Sequence, residues 1–124
     1  MARVLVIDDD VQVQHMLAQM LGQLRLGVLT ASDGIDGVAQ ARTQSPDLVI
    51  ADIYMPDGDG ISTILAIREF DPSVPIVALS GGGRMKSFDL LEASAAAGAN
   101  RTMRKPVDLE ELADVVHELL PSWR

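Results

Sequence analysis

The sequence predicts an α/β domain: a parallel sheet with helices on both faces. Strand-like and helix-like stretches alternate five times along the chain, and the connections between them are short. The strand-like runs are apolar throughout instead of alternating with polar residues. Strands buried on both faces read that way, and strand–helix alternation is the pattern of a sheet joined by crossover helices.

The elements follow in order. Val4 to Ile7 is an apolar run that empties into Asp8-Asp9-Asp10. Val13, Met16, Leu17, Met20, Leu21 and Leu24 recur at helical spacing, and Asp10 is placed to cap that helix. Gly27 ends the connection, and Val28 to Ala31 is a second strand. Asp33-Gly34 reads as a turn; Ile35, Val38, Ala39 and Arg42 lie on a second helix, which Ser45-Pro46 stops. Leu48 to Asp52 is the third strand, with Pro46 and Pro56 punctuating its ends. Asp57-Gly58-Asp59-Gly60 reads as a flexible acidic loop, and Ile61, Ile64, Leu65 and Arg68 begin a third helix that ends near Asp71-Pro72. Pro75 to Leu79 is the fourth strand, with Ser80 at its end. Gly81-Gly82-Gly83 leads to a helix through Phe88, Leu91 and Glu92 to Ala97-Gly98. Asn100 to Arg104 is a polar fifth strand that ends at Lys105-Pro106. Asp108 with Glu111 makes a start like a capping box, and Leu109, Leu112, Val115, Val116 and Leu119 form the apolar face of the last helix. No linker, repeat or low-complexity tract interrupts the pattern, so a single domain is expected over residues 1–124.

Composition narrows the function classes. The chain is 48% hydrophobic but only 3% aromatic, so aliphatic residues must fill the core. A net charge of −8 argues against binding nucleic acid or an anionic membrane through bulk electrostatics. The absence of cysteine excludes disulfides and thiolate metal sites. Val4 to Ile7 is shorter than a signal-peptide core of about 7–15 residues, and no run approaches the roughly 18 apolar residues of a membrane span. A cytoplasmic location is the expectation.

In such a sheet, ligands bind beyond the carboxyl ends of the strands. Strand one ends in Asp8 and Asp9, strand three in Asp52, strand four in Ser80 and strand five in Lys105. A carboxylate at the end of a buried strand is costly unless something pairs with it, which singles out Asp52 as the working group. Three carboxylates in one pocket repel by roughly 3 kcal/mol per pair at about 5 Å and an effective dielectric near 20. A proton or a cation must resolve that. Oxygen-only ligands with no histidine nearby in sequence favour Mg²⁺ (or Mn²⁺) over Zn²⁺.

The chain resembles a receiver domain of two-component response regulators, of the single-domain chemotaxis type. Five features carry the resemblance: the Asp8-Asp9 pair, Asp52, the Met55-Pro56 and Asp59-Gly60 elements after it, Ser80, and Lys105-Pro106. Each is weak alone, but together they stand in register at strand ends. The resemblance implies a doubly wound (βα)5 flavodoxin-like fold with strand order 2-1-3-4-5. It implies that Asp9 and Asp52 bind Mg²⁺ directly, with Asp8 assisting and the backbone carbonyl of Tyr54 completing the set. Asp52 would be the phosphoacceptor, served by a histidine kinase or a phosphotransfer protein. Lys105 and the Ser80 hydroxyl would contact the phosphoryl group, and a cis Lys105-Pro106 bond would aim the lysine into the pocket. A downstream protein partner, not a nucleic acid or a membrane, would read the change on the face formed by helix four, strand five and helix five. Turnover of an external substrate is not expected.

The chain departs from the family at the switch. The stretch from Ser80 to Lys105 is a few residues longer than usual, and the extra length falls at Gly81-Gly82-Gly83-Arg84. Thr102 stands where the family often has an aromatic residue, so reordering of the glycine loop is the expected substitute for aromatic switching. Arg101 and Arg104 place positive charge near the partner face. Tyr54, two residues after the acceptor, has the bulk to screen it from water.

Other residues have plainer readings. Asp10 is a cap, and Asp57 and Asp59 are turn residues. Ser80 to Gly83 lacks the lysine of a phosphate-binding GxxxxGK[ST] loop. His15 borders the apolar stripe, Met16, Met20 and Met103 fall at packing positions, and Trp123 has no assigned role. Two alternatives come from other classes. A metal-dependent phosphohydrolase would want a second acid two residues after its nucleophile, where Tyr54 stands. A flavin or nucleotide module would set a bound phosphate against three acids.

Overall fold

A computed structural model describes residues 2–55, 60–81 and 87–121, with only the backbone of residues 87–91. The order of elements is β1 (Arg3–Ile7), α1 (Val11–Gln23), β2 (Gly27–Ala31), α2 (Gly34–Gln44), β3 (Leu48–Asp52), α3 (Gly60–Phe70), β4 (Ile76–Ser80), α4 (Ser87–Ala97), β5 (Arg101–Arg104) and α5 (Leu109–Leu119). All strands run parallel in the order β2-β1-β3-β4-β5, as the resemblance implied. No helix among the described residues is long and apolar enough to cross a membrane.

The strands sort their side chains onto two faces because successive residues point oppositely. Val4, Val6, Leu48, Ile50, Val77, Leu79 and Met103 pack with Leu17 and Leu21 of α1 and Leu112, Val115 and Val116 of α5. Leu5, Ile7, Val49, Ala51, Ile76 and Ala78 pack on the other side with Ala41 of α2 and Ile64 and Ile67 of α3. Every residue of β3 and β4 is buried, which is why those segments read as unbroken apolar runs.

Local signals set the helix ends. The Asp10 carboxylate accepts from the Gln12 N–H and the Asp108 carboxylate from the Glu111 N–H, so both act as N-caps. Asp33 is a third N-cap, accepting from the Asp36 N–H at 2.7 Å, and Gly34 is already helical. The turn expected there is instead the start of α2. Ser45 adopts a left-handed backbone with φ 48° and closes that helix before Pro46. Gly60, expected in a loop, is the buried first residue of α3. His15 is exposed, Met16 and Met20 are half-buried, and Met103 is in the core. Asp57, Asp59 and Trp123 lie outside the described residues.

Ile50 sits at the centre of the sheet with no exposed surface. Ile50→Ala is expected to cost about 2–5 kcal/mol through lost burial and the cavity left behind. A lower urea midpoint at unchanged m-value would report it.

Candidate functional site

Parallel pairing brings the strand ends to one edge. Ile7 lies beside Ala51, Asp52 beside Leu79, and Ser80 beside Arg104. The residues that follow β1, end β3 and follow β5 therefore face one another. The Lys105 N–H donates to the Ser80 carbonyl at 2.9 Å, which carries the ladder one residue beyond β5. The Lys105–Pro106 peptide is cis.

Asp8, Asp9 and Asp52 each offer an oxygen within 4.8 Å of the others. Asp8 and Asp52 are buried and Asp9 is exposed. The Lys105 ammonium stands 2.8 Å from Asp8 Oδ2 and 3.2 Å from Asp52 Oδ2. Its bond to Asp52 has hydrogen-bonding geometry. The ammonium is closer still to Asp8, so the one donor that meets the buried Asp8 Oδ2 among the described residues is Lys105. Asp8 Oδ1 accepts from the Asp10 N–H at 2.9 Å, and Asp52 Oδ1 accepts from the Tyr54 N–H at 3.0 Å.

Charge is not balanced in this pocket. Burial pushes the Asp52 carboxyl above its ordinary range, and Asp8 adds to the push; the Tyr54 N–H and Lys105 oppose it without winning. Burial alone would lower the Lys105 ammonium, but its contacts with Asp8 and Asp52 leave it raised. Three carboxylates against one ammonium leave two negative charges, which a divalent cation would match. The candidate ligand atoms are all oxygen, and a single ammonium serves two of the three carboxylates. Such a set suits a hard cation and can hold Mg²⁺.

Gly60 packs against the end of β3. A Cβ built there would lie 2.1 Å from the Asp52 carbonyl oxygen and 2.6 Å from Ile53 Cα. Only a residue without a side chain lets α3 start this close to the end of β3.

The residues expected to act as a switch fall partly among the described ones. Ser80 is buried, and its Oγ lies 3.5 Å from the Met103 carbonyl oxygen, the outer limit of a hydrogen bond. Gly81 is half-buried, and Thr102 is half-buried on β5 beside Ala78. Gly82 and Gly83 lie outside the described residues. Arg101 and Arg104 are exposed, and Arg101 pairs with Glu118 of α5. Tyr54 is half-buried; its N–H meets the Asp52 carboxylate, and its side chain packs against the core cluster that includes Ile53 and Ile64.

One residue of the site escaped the sequence reading. Gln14 of α1 is buried, and its Nε2 donates to the Asp8 carbonyl at 2.6 Å. Its spacing with Leu17 and Leu21, three and seven residues on, was the signal available.

A five-stranded parallel sheet in this order, with acids after β1 and at the end of β3 facing a lysine after β5, is the arrangement expected of a receiver-type signalling domain. The model of the response regulator receiver domain family matches residues 4–117, and the chain belongs to that family. It is 39% identical over 118 residues to the transcriptional regulatory protein PrrA of Mycobacterium tuberculosis, covering 95% of this chain and 49% of that protein. It is 36% identical over 121 residues to the chemotaxis protein CheY of Treponema pallidum, covering 95% of this chain and 82% of that one. The chain thus spans about half the length of PrrA and most of that of CheY. Among solved structures, Vibrio cholerae CheY4 superposes with a TM-score of 0.86 at 28% identity, covering 97% of this chain and 99% of that one. A response regulator receiver domain protein from Clostridium thermocellum gives 0.88 at 27% identity, with coverages of 98% and 96%.

An acid whose folded-state value lies above its unfolded one destabilises the fold when ionised. That penalty is complete above the folded value and vanishes below the unfolded one. Asp52→Asn is therefore expected to raise the stability of the metal-free protein by on the order of 1 kcal/mol at neutral pH. The gain should shrink as the pH falls through the raised Asp52 value, as urea unfolding in a chelator at a series of pH values would show.

Proposed function

We propose that the chain is a single receiver domain over residues 1–124 and that Asp52 is its phosphoacceptor. The observation that carries this reading is the Lys105 ammonium within 3.2 Å of Asp52 and 2.8 Å of Asp8, with Asp9 completing the acid cluster. Asp8, Asp9, Asp52 and the Tyr54 carbonyl would hold Mg²⁺ (or Mn²⁺), and the bound ion would neutralise charge on the phosphoryl oxygens during transfer. The donor is the phosphohistidine of a histidine kinase or phosphotransfer protein. An Asp52 carboxylate oxygen attacks phosphorus, the N–P bond breaks, and the electron pair leaves with the imidazole. Lys105 contacts a second phosphoryl oxygen. Water later cleaves the acyl phosphate, so the domain turns over its own modification and no external substrate.

Output follows from the added charge of roughly −1.5 to −2 and its acceptor oxygens. Ser80 Oγ gives up its long contact with the Met103 carbonyl and donates to the phosphoryl group. The glycine loop beginning at Gly81 follows it, with Thr102 in place of an aromatic reporter. A protein partner reads the result on the face of α4, β5 and α5, where Arg101 and Arg104 are exposed. The setting is the cytoplasm, with neither nucleic acid nor membrane as a partner of this domain.

Incubation with acetyl phosphate and Mg²⁺ should add one phosphoryl group by intact-mass spectrometry, and Asp52→Asn should add none. Steady turnover of an external phosphate ester without that adduct would support a phosphohydrolase instead. If the bulk of Tyr54 screens Asp52 from water, Tyr54→Ala should shorten the acyl-phosphate lifetime by a few-fold; an unchanged decay rate would remove Tyr54 from that role.

A further inference from the structure

We infer that Gln14 is a positioning residue for the metal pocket: its side-chain amide anchors the peptide between Asp8 and Asp9 and so sets where the Asp9 carboxylate stands. This rests on the reading of the acid cluster as a divalent-cation site.

Gln14 lies on the inward side of α1 with Leu17 and Leu21. A primary amide among apolar residues is costly unless it finds partners. Gln14 Nε2 donates to the Asp8 carbonyl at 2.6 Å and to Ser32 Oγ at 3.1 Å, and it lies 3.4 Å from the Ala31 carbonyl. The Ala31 carbonyl also accepts from the Asp8 N–H at 3.0 Å. One buried amide thus knots the connection after β1 to the connection after β2.

The consequence for Asp9 comes from how the three acids are held. Asp8 is fixed through its own carboxylate, by the Asp10 N–H and Lys105. Asp52 is fixed likewise, by the Tyr54 N–H and Lys105. Asp9 is exposed and stands outside the ion pairs of Lys105, so its place depends on its backbone. The Asp8 carbonyl belongs to the same rigid peptide unit as the Asp9 nitrogen. Holding that oxygen holds Asp9 Cα. A neutral amide does this without adding a positive charge that would compete with a cation.

The test compares Mg²⁺ affinity across the full chain and its variants by calorimetric titration. Gln14→Met keeps the length and loses the donor. It should weaken Mg²⁺ about tenfold, the low end for outer-shell substitutions, while Ser32→Ala, which leaves the bond to Asp8 intact, should stay within about twofold. In phosphorylation by acetyl phosphate, the Mg²⁺ concentration for half-maximal rate should rise with Gln14→Met while the rate at saturating Mg²⁺ stays that of the wild type. Gln14→Asn, whose amide is too short to reach the Asp8 carbonyl, should behave as Gln14→Met and serves if that variant does not fold. Unchanged affinity in the Gln14 variants overturns the inference, as does an equal loss in Ser32→Ala. A wild-type chain that binds Mg²⁺ but gains no phosphoryl group at Asp52 would defeat the proposed function and leave this assignment standing. A wild-type chain that binds no Mg²⁺ would defeat both.

Discussion

One ammonium group holds the functional edge of this sheet together. Asp8 is fully buried, and Asp52 nearly so. Such carboxylates are tolerated only where a positive charge or donors meet them. Lys105 meets both, and it can do so only because β5 pairs with β4 beside β3. Its backbone is tied to Ser80 and its side chain turns back over two strands. The pocket still carries more negative than positive charge. A local conflict of this kind, kept inside an otherwise consistent core, is what a functional site looks like in energetic terms. A cation that takes over the acids would release the ammonium for a phosphoryl oxygen, with no new residue brought in.

The acid that differs from the others in burial is the one that can exchange partners with solvent. Asp8 and Asp52 are pinned by main-chain donors as well as by Lys105, whereas Asp9 faces water. Two fixed ligands and one accessible ligand suit Mg²⁺, which gives up its water reluctantly and keeps several of its own. Gly60 contributes by subtraction. The absence of a Cβ lets α3 press its first residue against the Asp52 carbonyl at the end of β3.

Much of this was legible because charge interrupts hydrophobicity so sharply here. Asp8, Asp9, Asp52, Ser80 and Lys105 each stand where an apolar or strand-forming run stops, and parallel strands must end at one edge. The order of the strands was a different matter. Alternating strand and helix gives a parallel sheet but does not say which strands are neighbours, so the order came from resemblance. The errors were local. Asp33-Gly34 has the composition of a turn, yet the Asp33 carboxylate accepts an N–H three residues on and starts a helix. Gly60 follows an acidic, glycine-rich stretch, yet it is buried and helical. Gln14 was missed because a polar residue within a helical pattern reads as part of the solvated face. Its partners are main-chain carbonyls from two other segments, which no periodicity can reveal.

The opposite edge of the sheet is built on another principle. There Arg68, near the end of α3, donates twice to the Gly98 carbonyl, once to the Asp71 carbonyl and once to Asn100 Oδ1. Asn100 in turn accepts from the Ile76 N–H and donates its own N–H to the Ile76 carbonyl. Gly98 has φ +123°, and a Cβ there would meet the Arg68 side chain at 2.9 Å. The guanidinium therefore lies directly against the backbone, and burial lowers its proton affinity. Four planar bonds to oxygens of two connections, at Asp71 and at Gly98 and Asn100, make a joint with little freedom to slide. It fixes the start of β4 and the end of α4 at the base of the fold. At the other end of the same strand, Ser80 has only a long contact with a carbonyl, and glycines follow it. The two ends of β4 thus differ in kind: a charged side chain braces the base, while main-chain bonds and buried packing hold the tip.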